Sequence, residues 1–243
     1  VADEDGSMSG SGSGKARRGP ERRLGLTPAR IIDAARELSH GRGLNSWTIR
    51  DLAAALDVAP SVIYHHVGGR DRIVRGVVER LLGELRPPSA ELPWQEWFRT
   101  FFYSARPLFA PYPGVAKWLV MHGPTFPGIE AFLDAGISTL DRAGFPRPAL
   151  VYAMLTNSAM LSITRNDDRL EAGDDGPRDH ATMRRLFSGI GADSPGIGRM
   201  ITEVLGPLSD DPEGGGEAID AEYYRLLVES LIAGLETLLP TER

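Results

Sequence analysis

Cysteine is absent from the 243 residues, which excludes disulfides, thiol nucleophiles and thiolate metal sites. No apolar run approaches the ~20 residues needed to span a membrane. The longest, residues 149–163, is broken by Tyr152, Thr156, Asn157 and Ser158 and reads as a buried helix. The N-terminal stretch lacks the basic-then-apolar order of a secretory signal, so cytoplasmic residence is the expectation. The histidines at positions 40, 65, 66, 122 and 180 show no metal-binding His spacing. There is no Gly-x-Ser-x-Gly elbow and no glycine loop leading into a helix, and Gly214 to Gly216 follow acidic residues that repel phosphate. No catalytic residue, metal ligand or cofactor is therefore assigned, and the chain is expected not to be an enzyme. Period-two alternation and internal repeats are also missing, which leaves an all-α fold.

What is present is an ordinary globular composition, 42% hydrophobic and 25% charged, on a chain long enough for one large or two coupled domains. The net charge of −6 argues against a nucleic-acid partner until its distribution is considered. Residues 15–86 carry 14 Lys and Arg against 8 Asp and Glu, whereas residues 87–243 carry 13 against 22. A basic unit on an acidic body suits a DNA reader, because phosphate neutralisation supplies most of the non-specific affinity.

The stretch that organises the chain is residues 48–67, TIRDLAAALDVAPSVIYHHV. Ile49, Leu52, Ala53 and Leu56 recur at helical spacing, and Thr48 can cap that helix through its hydroxyl. Asp57 sits where the chain must turn, and Asp tolerates the left-handed conformation better than most side chains. Pro60 can open a second helix without losing a useful amide donor. Its inner side would carry Val62, Ile63, His66 and Val67, with His66 expected as a hydrogen-bonded core residue, and its outer side would carry Ser61, Tyr64 and His65. Such a helix fits the major groove of B-DNA, about 12 Å wide. Two amphipathic helices and a turn also occur in many helical proteins that never meet DNA.

The order Thr48-Ile-Arg-Asp-Leu-Ala, then Leu56-Asp-Val, then Ile63-Tyr-His-His-Val67, then Arg70-Asp71 resembles the DNA-binding domain of the tetracycline-repressor (TetR) family over residues 27–85. The resemblance implies a three-helix helix-turn-helix domain, residues 24–86 with the motif at 48–67, joined by a long helix to a larger helical ligand-binding and dimerisation domain, residues 87–243. It implies a homodimeric, sequence-specific transcriptional regulator with no membrane partner, a repressor released from a palindromic double-stranded operator by a small apolar effector. The alternatives are a helical ligand-binding or scaffold protein of the same fold without effector-controlled DNA binding and, less favoured, a small-molecule enzyme. Carried over by position, Thr48 is a phosphate-contacting cap, Arg50 a reader of a guanine edge, and Arg70 a phosphate grip at the start of the linking helix. Pro60, Ser61, Tyr64 and His65 complete the DNA-facing set. Competing readings are a solvated surface arginine for Arg50 and packing against the linking helix for Tyr64. Ala59, Val62 and Asp57 depart from the family pattern, and the first two remove a polar group where relatives contact phosphate.

Residues 1–23 read as a disordered basic arm, either following phosphates or simply solvated. Thr27-Pro28 opens a first helix, and Arg70 begins the linking helix, expected to run to Leu85 before Pro87-Pro88. Helices follow at 94–109, 114–122, 127–143 and 148–165, with weaker ones at 181–187 and 197–205 and a last one at 218–239 that must be buried on two sides. Residues 173–177 and 209–216 are expected to be mobile loops. In the body, Trp97, Phe101, Trp118, Met121, Met154 and Met160, with His122 and Asn157 as polar groups, are the candidates to line an apolar ligand pocket; each would also be plain core in any helical protein.

Overall fold

The computed structural model describes residues 25–123, 125, 127–170, 180–190, 194–210 and 215–239. Among them every regular element is helical. The arm at 1–23 and the stretch 173–177 lie outside the described residues.

Local chemistry starts the first helices where the sequence places them. α1 (Pro28–Ser39) has Pro at its first position and Thr27 as cap, whose Oγ1 accepts from Arg30 N at 3.3 Å. α2 (Ile49–Leu56) opens on a reciprocal cap: Thr48 Oγ1 accepts from Asp51 N at 3.2 Å, and Asp51 Oδ2 accepts from Thr48 N at 2.8 Å. Two otherwise orphaned amides are thereby satisfied. It ends at Asp57 with φ 56°, in the left-handed region. α3 (Pro60–Val67) begins on Pro and stops at Gly68 with φ 88°.

α4 (Arg70–Leu82) is shorter than the apolar pattern suggests, because the chain turns at Gly83 and leaves Leu85 buried just beyond the helix. Ile73, Val77, Val78 and Leu81 are fully buried. Gly76 explains how α1 packs so closely on it. A Cβ there would stand 2.6 Å from Ile32 Cδ1, so in this packing the Ile32 side chain occupies the space the glycine leaves, which offsets part of the glycine's cost of about 1 kcal/mol in a helix interior.

The body is built around α5 (Trp94–Phe109), whose Trp97, Phe98, Phe101 and Phe102 form an edge-to-face and tilted aromatic array. α7 (Glu130–Arg142) and α8 (Pro148–Leu170) pack against it, and α6 (Val115–His122) packs on α8. Gly136 of α7 admits the ring of Tyr152, since a Cβ there would lie 2.4 Å from Tyr152 Cε2. α9 (His180–Ile190), α10 (Pro195–Met200), a π-helical segment (Ile201–Leu205) and α11 (Gly206–Asp210) follow, and α12 (Gly215–Glu236) returns against α8 and α5. The last helix thus starts earlier than its apolar pattern indicates, residues 209–210 and 215–216 are helical and not loop, and Leu238 lies past the helix end, exposed. Glu229 fastens α12 to α5 by accepting from Arg99 Nη2 at 2.9 Å and from Tyr103 Oη at 2.7 Å.

A second junction joins the helix-turn-helix to the body besides α4. Gly41 N donates to Pro111 O at 2.7 Å and Leu44 N to Pro113 O at 2.8 Å, so the loop before α2 is clasped by the loop before α6. Arg36 Nε donates to Tyr112 Oη at 3.0 Å beside that clasp, and its Nη1 pairs with Glu84 at 2.5 Å.

Candidate functional site

The motif presents one continuous outer face. Thr48 and Arg50 of the first helix and Pro60, Ser61, Tyr64 and His65 of the second are all exposed, while Ile63 alone on α3 is fully buried. Tyr64 keeps 54% of its surface in solvent, so it does not pack against α4. His66, expected in the core, is exposed as well; its ring meets that of His65 edge-on at 5.7 Å. The reason is the narrowness of the α3 footing, in which Ile63 carries the burial and Val62 and Val67 flank it half-buried, leaving position 66 on the rim. Thr48 contributes its hydroxyl to Asp51, donating to Oδ2 at 2.8 Å, so its first role is to hold the helix start. That hydrogen bonding, the backbone amide of Thr48 foremost, holds the Asp51 carboxyl below its ordinary pKa.

Arg70 is aimed differently from the expected phosphate grip. Its guanidinium lies over the Trp47 ring, 4.9 Å from the centroid, and donates to Leu44 O, to Trp47 O at 3.5 Å and to Asn45 Oδ1 at 3.4 Å. Trp47 is buried and continues the chain of contacts, donating from Nε1 to Ser39 Oγ at 2.7 Å, which in turn donates to Ala35 O at 2.7 Å. Arg70 therefore braces the loop before α2 against α4 and α1. Only the fold shows Trp47 as the plate on which Arg70 stacks.

The body holds a cavity of about 400 Å³ that opens on one side to solvent. Leu82 and Leu85 close it from the end of α4 and the turn beyond, and Phe101 and Phe109 from α5. Leu119 and Val120 of α6 and Phe132 of α7 add apolar walls, while Tyr152, Thr156 and Asn157 of α8 supply the polar groups. Of the eight sequence candidates, Phe101, Asn157 and Met160 line it. The other five do not, because helix phase turns them elsewhere. Met121 is 74% exposed, Met154 lies on the outer side of α8, and Trp97 is sealed in the aromatic array. Trp118 and His122 stack on each other at 4.0 Å on the side of α6 that faces α4.

There α4 touches the cavity's rim. Arg75 Nη1 donates to Thr125 O at 3.0 Å, two residues past the lining Gly123, and its guanidinium stands 5.8 Å from the Trp118 ring. Among the described residues no group of His, Asp and Glu is placed to hold a metal ion, and no helix is long and apolar enough to cross a membrane.

Comparison with known proteins bears on both halves. Residues 31–77 match the family model described as bacterial regulatory proteins, tetR family. An HTH-type transcriptional regulator of Saccharopolyspora erythraea is 26% identical over 129 residues, 53% of this chain; the match spans only about half of that relative, 55% of its length. A possible TetR family transcriptional regulator from Streptomyces coelicolor A3(2) superposes with a TM-score of 0.68 at 21% identity, covering 87% of this chain and 99% of its own. ActR of Streptomyces coelicolor, in complex with actinorhodin, superposes with a TM-score of 0.65 at 21% identity over 89% of this chain and 100% of its own. At that identity the structures share the fold, an N-terminal helix-turn-helix on a larger helical body. The helix-turn-helix at residues 31–77 is thus similar to that of the tetR family of bacterial regulatory proteins, and the chain as a whole shares the fold of these regulators.

Proposed function

We propose that this protein is a transcriptional repressor that reads a palindromic operator with Arg50, Pro60, Ser61, Tyr64 and His65, holds phosphate near Thr48, and is released by a small apolar molecule in the body. Residues 24–86 would be the reading unit and 87–243 the regulatory and dimerisation unit. One observation carries the reading: α4 packs against α1 through Ile73, Val77 and Gly76, and its end at Leu82, with Leu85 in the turn beyond, forms part of the cavity wall. A ligand that alters that wall acts on the same helix that seats the reading head. ActR, which shares this fold, is found in complex with actinorhodin, and this supports small-molecule binding by a protein of this fold.

Two heads are needed, since one recognition helix covers too few base pairs. The outward residues of α8, Leu150, Met154 and Leu161, and of α12, Tyr223 and Leu226, are large, apolar and exposed, which suits a two-fold helix bundle between copies. Ser158 and Ser162 are half-buried beside them, and Ala159 is turned into the core. In the DNA-bound dimer the heads would sit roughly 34–36 Å apart, one turn of the duplex.

The mechanism is a population shift. A ligand favouring one tilt of α4 moves the head spacing away from one turn, and a tenfold loss of operator affinity requires about 1.4 kcal/mol of coupling. Reciprocity demands that operator weaken the ligand by the same factor. The test is selection of an operator from random duplexes, followed by titration of a cavity ligand with and without saturating operator. An identical ligand affinity in both conditions refutes the sensor and leaves the DNA reading standing.

A further inference from the structure

Resting on the sensor reading, the lining of the cavity specifies the ligand's chemistry more narrowly than "apolar". None of the described residues lining it carries a formal charge. A carboxylate or ammonium entering it would lose hydration with no counter-charge in place of water, and ionised groups tolerate this poorly. Cations near the walls are committed elsewhere. Arg86, next in sequence to Leu85, donates to the Gly83 and Leu85 carbonyls, Arg80 pairs with Asp33, Arg75 donates to Thr125 O on the outer rim, and Arg142 donates to Ala90 O and Thr139 Oγ1.

The polar groups that line it come from α8. Tyr152 and Thr156, at i and i+4, share one face, and Asn157, about 100° further round, meets the cavity from its exposed side. Thr156 Oγ1 donates to Tyr152 O at 2.8 Å, which leaves the hydroxyl oxygen an acceptor. Neither the Tyr152 phenol nor the Asn157 amide makes a side-chain hydrogen bond among the described residues. Burial also raises the phenol's pKa, so it stays protonated and can donate. A buried phenol with a hydroxyl beside it, and an amide at the open side, match a ligand edge bearing a carbonyl or hydroxyl. The same cavity is lined by aromatic rings: Phe101 and Phe132, 5.3 Å apart and tilted by 34°, and Phe109 of α5. Aromatic faces favour offset stacking with a ring system, and about 400 Å³ lies within the range of sites for drug-sized ligands.

We infer that the cavity takes an uncharged aromatic ring system with a carbonyl or hydroxyl edge docked on Tyr152 and Asn157, and that it rejects acids of the same shape.

The test is calorimetric titration of the full chain at pH 8 with 9-fluorenone, 9-fluorenone-2-carboxylate and the methyl ester of that acid. Fluorenone and the ester should bind about a hundredfold or more tighter than the carboxylate, with the ester separating charge from bulk. Tyr152→Phe should weaken fluorenone about tenfold while leaving fluorene, which lacks the carbonyl, unchanged. Asn157→Arg, at an exposed position, should gain the carboxylate. Equal affinity for fluorenone and its carboxylate, or no binding of fluorenone up to its solubility, overturns the inference. Release of operator DNA is measured in parallel. Fluorenone that binds selectively without affecting DNA defeats the sensor and spares this inference; an acid that binds as well as fluorenone and releases DNA does the reverse.

Discussion

Arg70→Ala separates a brace from a phosphate contact. In the structure the guanidinium donates to the Leu44 carbonyl, makes two longer contacts to Trp47 O at 3.5 Å and Asn45 Oδ1 at 3.4 Å, and covers the Trp47 ring at 4.9 Å. One well-formed hydrogen bond from a charged donor contributes about 1.5–3 kcal/mol, and an exposed cation–π contact about 0.5–1 kcal/mol. The freed carbonyls lie in a surface loop and regain water, which offsets part of this. The expected loss is therefore about 2 kcal/mol, or about 4–8 °C in Tm for a chain of this size. Arg70→Lys should recover little, because an ammonium cannot reproduce the planar fork or its stacking. Thermal unfolding followed by circular dichroism, without DNA, reads this directly. Salt titration of duplex binding supplies the contrast, since a phosphate contact makes Lys a near-complete replacement and its removal lowers the salt slope by about one. An Arg70→Ala protein with unchanged Tm that binds all duplexes more weakly, with the shallower slope, would refute the brace.

Replacing Arg50 by Ala is expected to cost about 1–3 kcal/mol on the selected operator and to relax preference at one base pair; equal weakening on random duplex would remove it from the readers. Arg75→Ala, which breaks the 3.0 Å bond to Thr125 O, should leave ligand affinity within about twofold while cutting ligand-induced DNA release by about tenfold, or 1.4 kcal/mol of coupling; unaltered release by anisotropy contradicts this route. Hydrogen bonding from Arg99 holds the Glu229 carboxyl below its ordinary pKa, so its stabilisation is full above the unfolded value near ~4.3 and is lost as pH falls through the lower folded one. Desolvation, aided by Glu229, pushes Tyr103 up to about 12, so its stabilisation holds below ~10 and is lost as pH rises towards about 12. Tyr103→Phe should thus make the alkaline limb of Tm against pH shallower, and an unchanged limb would show that Tyr103 does not contribute. Gly136→Ala puts a methyl 2.4 Å from Tyr152 Cε2 and 3.1 Å from Trp97 Cη2, both buried, and should destabilise by about 1–3 kcal/mol; a denaturant midpoint at or above the parent's would contradict the packing.

Features decided within a few residues were legible in the sequence. Thr48 and Asp51 are three apart, so their reciprocal cap needs nothing from the rest of the chain, and Pro28 and Pro60 start helices by removing an amide that would be idle anyway. Asp57 takes its left-handed turn for equally local reasons. The all-α class followed from apolar spacing, and the helix-turn-helix from an ordered set of such local signals. Tertiary structure decided what distance along the chain conceals. Arg70 is 23 residues from the tryptophan it stacks on and 26 from the carbonyl it grips, and only the fold turns its fork inward. His66 lost its expected burial because α3 rests mainly on Ile63, a footing set by the helices beneath. The cavity was beyond local reading for the same reason. Which of Trp118, Leu119, Val120 or Met121 meets it depends on the rotation of α6 against α4 and α8. Composition shows aromatic residues and methionine in the body, but only packing between helices sets which of them face an empty space.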